Sequence, residues 1–366
     1  MPRIRNPFTP TFGMVPPFMA GRGKLLDEMS RAFEDGLGNP NLSTIIIGAR
    51  GTGKTALLSC IAEEAQNQGW LSVNTIASDG LLEDIIQQAG KAASHLVEKS
   101  SPRKLSGIGI GQLLNLEWVF NEANPGNWRS RIEALLDKIE EYDTGLLITV
   151  DEIRVEIPEM IELVSTYQLL IREGKNISLV MAGLPANVTD LIGNERISFL
   201  RRARQHYIGR INDLEVAQAF RKTIEQSGKT INADALNLAT EAIRGFAYMI
   251  QLVGYFTWEE CDTDTITSNH VSQGIALANE DFRHGVLDAT YREMSEGDKQ
   301  FAYAMLPDKN GSKLSDIAKR LGKGTNYAST YKARLLKQGI IGQHVGTTFD
   351  FEIPFFREYL EELAQE

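Results

Sequence analysis

The stretch from Gly48 to Thr55, GARGTGKT, constrains this chain more than any other part of its sequence. It follows the apolar run STIIIG, which is typical of a buried strand, and it precedes ALLSCIAEEA, which is typical of a helix. The glycines allow a loop to wrap so that successive backbone N–H groups point inward. A helix that begins near Lys54 adds the positive end of its dipole. This order of strand, loop and helix predicts a site that cradles phosphate groups.

The spacing G-x-x-x-x-G-K-[ST] gives separate roles to the last residues of this loop. We expect Lys54 to reach the β- and γ-phosphates of a nucleotide and Thr55 to offer its hydroxyl to Mg²⁺. A chance glycine-rich turn is not favoured, because the motif and its strand and helix context are complete. The residues predicted to bind the nucleotide here are Gly48, Ala49, Arg50, Gly51, Thr52, Gly53, Lys54, Thr55 and Ala56.

Two acidic residues end another apolar run, GLLITVDEI. Asp151 is predicted to hold the metal together with Thr55, and Glu152 to orient and deprotonate an attacking water. Taken alone, such an acidic pair often only begins a helix. Combined with the upstream loop, it favours hydrolysis over a passive nucleotide switch.

Apolar runs alternate with helical segments over the first two thirds of the chain, which is typical of a parallel sheet covered on both faces. A chain of 366 residues is too long for one core, so several domains are expected. After the last apolar run the pattern becomes wholly helical, and a further unit closes the chain. We predict an extended arm (1–22), a nucleotide-binding domain (23–212), a helical lid (213–284) and a helix-turn-helix domain (285–366).

Three arginines precede the predicted fifth strand in SFLRRARQHYIGRI. An arginine supplied across a subunit interface stabilises the charge that builds on a transferred phosphoryl group. Arg202 and Arg204 are both candidates for this role, which implies a homo-oligomer in the ATP state. The alternative, a solvated basic cluster, stays open.

The C-terminal unit is basic in an otherwise acidic chain. The net charge is −10, whereas residues 295–341 contain nine Lys or Arg and four Asp or Glu. KLSDIAKRLGKGTNYASTYKARLLKQGII predicts a helix-turn-helix, and IIGQHVGTTFDFEIP predicts a two-stranded wing. Short polar groups and cations near the start of a recognition helix suit phosphates and base edges. The predicted DNA-binding residues are Thr325, Asn326, Ser329, Thr330, Lys332 and Arg334, with Lys337 also on the outer side.

Other features of the sequence predict a cytoplasmic protein. No apolar run approaches the ~20 residues that span a bilayer, and the N-terminus lacks the apolar core of a secretory signal. Cys60 and Cys261 lie far apart without metal-ligand spacing, as expected for free thiols.

Together these segments resemble AAA+ ATPases, and more closely the bacterial ATP-binding proteins related to origin-recognition and Cdc6-type initiators. PFTPTFGMVPPFMAGR at the N-terminus, AGLP after the fourth strand and GFAYMIQLVGYFTW in the helical region are similar to segments of that group. The resemblance covers nearly the whole chain. It implies an α/β fold with an AAA+ P-loop parallel sheet of five strands, a helical lid and a C-terminal winged helix. It also implies ATP as the nucleotide and an adenine site near Pro17–Arg22, with Arg22 among the nucleotide-binding residues.

Two departures from that group bear on activity. The fourth strand ends in Ala182 and Gly183, where many AAA+ proteins place a polar sensor of the γ-phosphate, and Asn187 lies too far along. The lid has no clear arginine at the second sensor position: Arg244 is adjacent, and Ala247 replaces the proline common in relatives. We therefore expect an ATPase whose turnover is slow and regulated.

Two functions fit these features. The first is a Mg²⁺-dependent ATPase that couples its nucleotide state to duplex DNA through the winged helix. The second is a nucleotide-switched regulatory ATPase whose winged helix docks a protein partner, with Ser106–Phe120 as a further partner site. DNA affinity that falls steeply with salt would favour the first. A small-molecule kinase is not favoured, because it would need neither the lid nor the winged helix.

Overall fold

A computed structural model of the protein describes residues 5–11, 13–100, 127–343 and 346–365. Within them a central sheet has five strands, and every neighbouring pair runs parallel. The strands are β1 (Ser43–Ile47), β2 (Leu71–Ile76), β3 (Leu146–Asp151), β4 (Ile177–Gly183) and β5 (Arg204–Tyr207). Their spatial order is β2-β3-β4-β1-β5, which leaves β2 and β5 at the edges. The predicted parallel sheet is confirmed.

Helices cover both faces of this sheet, as the continuous apolar runs predict. Successive strand residues point to opposite faces, so Ile45 and Ile47 join one hydrophobic cluster while Ile46 joins the other. One face is covered by α1 (Gly23–Asp35) and α2 (Lys54–Asn67). The other is covered by α3 (Leu81–Ser100), α4 (Trp128–Glu140), α5 (Pro158–Arg172) and α6 (Pro185–Gly193). The predicted partner segment Ser106–Phe120 lies outside the described residues.

The region after the sheet contains four helices and a small pair of strands. The helices are α7 (Asp213–Gln226), α8 (Ala233–Ile243), α9 (Ala247–Glu260) and α10 (Ser268–Phe282). The strands β6 (Thr230–Ile231) and β7 (Thr265–Ile266) pair in parallel. The prediction of a wholly helical region was therefore wrong at these two places. A strand of two residues is too short to show alternating polarity.

The N-terminal residues pack against α9. The ring of Phe8 is 2% exposed, and a Cβ at Gly254 would lie 2.3 Å from this ring, so only glycine allows the approach. Asn6 Nδ2 donates to the carbonyl of Tyr255 (3.1 Å), and the amide of Thr9 donates to Gln251 Oε1 (3.1 Å). These contacts attach the arm to the helical region.

Residues 285–366 form what we call the C-terminal unit. Its helices are α11 (Asp288–Glu293), α12 (Glu296–Met305), α13 (Leu314–Leu321), α14 (Thr325–Lys337) and α15 (Phe356–Leu363). An antiparallel hairpin of β8 (Ile341–Gln343) and β9 (Phe349–Phe351) lies between the last two. Gly322 ends α13 with a φ of 61°, in the left-handed region that favours glycine.

The C-terminal unit shares its core with the helical region. One hydrophobic cluster contains Val253 and Phe282 from the helical region together with Phe301 and Phe356 from the C-terminal unit. The sheet has two other clusters, one on each face. The described part of the chain contains no helix long and apolar enough to cross a membrane.

Candidate nucleotide-binding site

The loop between β1 and α2 has a geometry that only glycine permits at several points. Gly51 and Gly53 have φ values of 75° and 87°, in the left-handed region. A Cβ on Gly48 would lie 2.7 Å from both the side chain and the carbonyl oxygen of Ile208. The amide of Gly48 donates to the carbonyl of Gly183 at the end of β4 (3.3 Å), which fixes the loop to the sheet.

The loop closes on itself around Lys54. The ammonium of Lys54 donates to the carbonyl oxygens of Gly48 (2.9 Å) and Ala49 (2.7 Å). Thr52 Oγ1 donates to the Ala49 carbonyl as well (2.9 Å). Burial lowers the pKa of Lys54 to about 8, and the nearby Asp151 carboxylate opposes this shift. The lysine therefore lies where the amides of the loop and the start of α2 favour an anion.

A carboxylate from the neighbouring strand meets the end of the loop. Thr55 Oγ1 donates to Asp151 Oδ2 at 2.5 Å, and the amide of Glu152 donates to Asp151 Oδ1 (2.8 Å). A hydroxyl and a carboxylate are the hard oxygen ligands that Mg²⁺ prefers, and Mg²⁺ usually takes only one or two such groups from the protein. The described residues contain no group of three or more His, Cys, Asp or Glu that could hold a metal alone. The pair therefore suits a Mg²⁺ that arrives with phosphate oxygens.

Glu152 follows in an unusual backbone conformation. Its φ is 52°, a strained value for a residue with a side chain, of the kind that clusters at functional sites. Its side chain is 63% exposed and pairs with Arg154 at 3.4 Å. The carboxylate is therefore accessible to solvent at the edge of the site.

Arg22 holds the arm against the loop through backbone oxygens. Its guanidinium donates to the carbonyls of Gly209 (2.8 Å), Gly21 (3.3 Å) and Thr52 (3.5 Å). Burial lowers its pKa, and the negative charge of Glu215 opposes this shift. The structure thus gives Arg22 a positioning contact that the sequence analysis missed, because its partners are distant in sequence.

The two candidate arginines lie far from this loop in the same chain. Arg204 in edge strand β5 pairs in register with Thr44, near the opposite end of β1 from Gly48. Arg202 ends the 3-10 helix Glu195–Arg202 that precedes β5, and both side chains are exposed.

The structure defines the surroundings of the residues at the two sensor positions. A Cβ on Gly183 would lie 2.7 Å from Ile153, so the close approach of β4 to the residues after β3 excludes a polar side chain. Asn187 in α6 is buried, and its Oδ1 has no hydrogen-bond partner among the described residues. Arg244 faces the C-terminal unit, where its guanidinium donates to Glu358 (2.6 Å) and lies 4.8 Å from the Phe355 ring centroid.

The predicted DNA-binding residues divide into two sets along α14. Near its start the side chains are exposed, at Thr325, Asn326, Ser329 and Thr330. Further along, Arg334 donates through Nε to Asp298 Oδ1 (2.8 Å) and also contacts Ser295, while Lys332 Nζ lies 5.6 Å from the Phe349 ring centroid. Lys337 pairs with Glu156, which follows β3. The later cations of the helix therefore have partners within the chain.

Comparisons with known proteins agree with this fold. Residues 284–360 match a family described as "Domain of unknown function (DUF8462)". No curated protein sequence matches the chain.

Among solved structures, the chain is similar to the Walker-type ATPase PABY2304 of Pyrococcus abyssi, with 15% identity over 94% of this chain and 96% of that one and a TM-score of 0.68. It is also similar to the Aeropyrum pernix ORC2 protein in its ADPNP–ADP complexes, with 13% identity over 97% of each chain and a TM-score of 0.64. The ADP form of that protein gives 14% identity over 97% of each chain and a TM-score of 0.57. The chain thus has the AAA+ fold of Walker-type and Orc/Cdc6-type ATPases.

Proposed function

We propose that this protein binds and hydrolyses ATP with Mg²⁺ and couples its nucleotide state to duplex DNA. The observation that carries the proposal is the contact between Thr55 and Asp151 beside the partly buried ammonium of Lys54. These residues come from the start of α2 and the end of β3, and they meet where a phosphate chain and its metal would need them. A cation, a hydroxyl and a carboxylate beside a glycine-rich loop are the groups that a phosphate chain with its Mg²⁺ requires.

Each residue of the site then has a distinct role. Lys54 binds the phosphates, Thr55 and Asp151 hold the metal, and Glu152 removes the proton from the attacking water. The bound Mg²⁺ supplies positive charge that neutralises the phosphate oxygens. Arg202 or Arg204 of a second copy stabilises the charge that develops on the transferred group. Turnover is slow because the end of β4 supplies no polar group to the site.

DNA binding is assigned to the start of α14. Its exposed hydroxyl and amide groups, with the excess of Lys and Arg in residues 295–341, suit a helix that contacts a major groove. The hairpin of β8 and β9 follows this helix as the wing of a winged helix does. These features support a winged-helix domain that binds duplex DNA.

A second function is favoured by the ion pairs of α14. Arg334 and Lys337 are engaged with Asp298 and Glu156, so fewer cations are free to meet phosphates. These ion pairs are compatible with a protein that uses ATP as a switch and whose winged helix docks a protein partner. The two functions differ in salt dependence, because phosphate contacts lose affinity steeply as salt rises.

Removal of the Lys54 cation tests the site. We expect Lys54→Ala to weaken binding of a fluorescent ATP analogue at least about 100-fold, since a charge-assisted contact with phosphate is lost from a partly buried site. Lys138→Ala is the matched control, because Lys138 pairs with Glu141 on the surface of α4. ATP affinity unchanged by Lys54→Ala would refute the phosphate-binding assignment.

A further inference from the structure

The C-terminal end of α14 lies directly against the nucleotide site. A Cβ on Gly339 would lie 2.9 Å from Leu184 Cδ1 and 3.5 Å from Arg50 Cγ, so glycine is needed for this approach. Two residues earlier, Lys337 forms an ion pair with Glu156. We call this the rim contact, and its residues are Lys337, Gln338 and Gly339 on one side and Arg50, Glu156 and Leu184 on the other.

Arg50, Glu156 and Leu184 each lie in or shortly after an element that forms the nucleotide site. Arg50 belongs to the phosphate-binding loop itself. Leu184 directly follows β4, whose last carbonyl accepts from the amide of Gly48. Glu156 comes four residues after Glu152. The rim contact therefore covers the side of the site formed by the carboxyl ends of β3 and β4.

The rim contact is loosely packed and partly solvated. A cavity of about 50 Å³ lies between Arg50 and the C-terminal unit, and Gln338 Oε1 is buried there without a hydrogen-bond partner among the described residues. The side chains of Lys337 and Glu156 are 50% and 47% exposed. Exposed ion pairs contribute little to stability, and an unpaired buried oxygen opposes the contact. Little free energy is then needed to open it.

The attachment to the helical region is more extensive. The ring of Phe355 lies 6.1 Å from that of Phe246 and 5.9 Å from that of Phe282, measured between centroids. Arg244 bonds to Glu358 in the same place, and one hydrophobic cluster runs through both parts. Opening of the rim contact would therefore move the C-terminal unit together with the helical region as one body.

We propose that the rim contact is autoinhibitory and that a second copy of this chain assembles on the site only after the contact opens. The inference rests on the proposed function, because it takes the arginine of a second copy as the incoming group. That arginine must reach the site past the carboxyl ends of β3 and β4, where the end of α14 contacts Arg50, Glu156 and Leu184. The end of α14 therefore competes with a second copy of the chain for the same surface.

Variants that open the rim contact test the proposal. Lys337→Glu places a second carboxylate opposite that of Glu156, and Gly339→Ala pushes a methyl group into Leu184. Sedimentation with Mg²⁺ and ADPNP measures self-association, and small-angle scattering without nucleotide measures the radius of gyration. We expect both variants to have a larger radius and to self-associate at protein concentrations about fivefold lower than the wild type, the effect of a repulsive surface pair.

Two controls separate opening from damage. The double reversal Glu156→Lys with Lys337→Glu restores opposite charges and should return both measurements to the wild-type values. Gly322→Ala introduces the same backbone strain, since Gly322 has a φ of 61°, but its Cβ would meet no atom within 4 Å. It should leave self-association unchanged.

The outcomes distinguish this proposal from the proposed function. Opened variants that self-associate no more readily than the wild type, or variants whose radius does not change, would overturn the autoinhibitory role. Absence of nucleotide-dependent self-association in every variant would overturn it as well. Binding of a fluorescent ATP analogue, measured in the same samples, reports separately on the proposed function.

Discussion

The environment of Lys54 links its charge to phosphate binding. Its ammonium is bonded to two carbonyl oxygens of its own loop, and burial lowers its pKa to about 8. A phosphate group would favour the charged form and raise this pKa. Nucleotide binding is therefore linked to uptake of a proton near pH 8.

This linkage predicts the pH dependence of ATP affinity. Below pH 8 the lysine is already charged and affinity is constant, whereas above pH 8 each binding event must first protonate it. We expect the affinity for ATP to fall about tenfold between pH 7 and pH 9, as for one titrating group. Titration of a fluorescent analogue at several pH values measures it. Lys54→Arg stays charged and should lose this dependence, and an equal slope in that variant would contradict the account.

At the scale of residues, the sequence predicted contacts between residues that are close together in the chain. The roles proposed for residues 48–55 follow from a spacing that the backbone enforces, and the structure places them around one loop. The backbone contacts of Arg22 could not be predicted, because its partner Gly209 is 187 residues away. Nor could the engagement of Arg334 with Asp298, since residues 36 positions apart meet only through tertiary packing.

The helix α14 has two halves with different surroundings. Its first turns expose short polar side chains, while Arg334 near its end is bonded to a carboxylate that is almost fully buried. Asp298 also closes a capping box with Ser295 at the start of α12. Arg334 thus holds α14 against α12, and this role is separate from any contact with DNA.

Removal of Arg334 should therefore cost stability. We expect Arg334→Ala to lower the free energy of unfolding by about 2–3 kcal/mol, because a buried carboxylate loses its cation. Chemical denaturation measures this. Arg334→Ala combined with Asp298→Asn leaves no buried charge and should recover part of the loss. A double variant no more stable than Arg334→Ala alone would count against the buried-charge explanation.

At the scale of elements, the segments predicted as strands match the five strands of the sheet, although β5 has the polar sequence RQHY. They could not give the spatial order, which depends on how each crossover packs over the sheet. The two-residue strands β6 and β7 were missed because their pairing is set by the helices around them. The rim contact also could not be predicted, since Lys337 and Glu156 are 181 positions apart and meet only through tertiary packing.

At the scale of the whole molecule, the role proposed for the arginines requires more than one copy. Arg202 and Arg204 lie at the end of the sheet away from their own phosphate-binding loop. A protein with an intact nucleotide site and a protein with intact arginines should therefore complement each other.

Mixing experiments test this arrangement. Protein with both Arg202→Ala and Arg204→Ala keeps its nucleotide site, and Lys54→Ala protein keeps its arginines. We expect a mixture to hydrolyse ATP faster than the sum of its separate components, because one mixed interface contains both parts. Additive rates at every ratio would mean that the arginines do not act across subunits.

The most direct test of the central claim is ATP hydrolysis by the purified protein, with and without random duplex DNA, at low and moderate salt. We predict slow turnover that rises with DNA at low salt and loses this stimulation at moderate salt, because phosphate contacts are screened. Glu152→Gln should lower turnover at least about 100-fold, since the proposed base is lost. Turnover that is indifferent to DNA at both salt concentrations, or that persists in Glu152→Gln, would contradict the account.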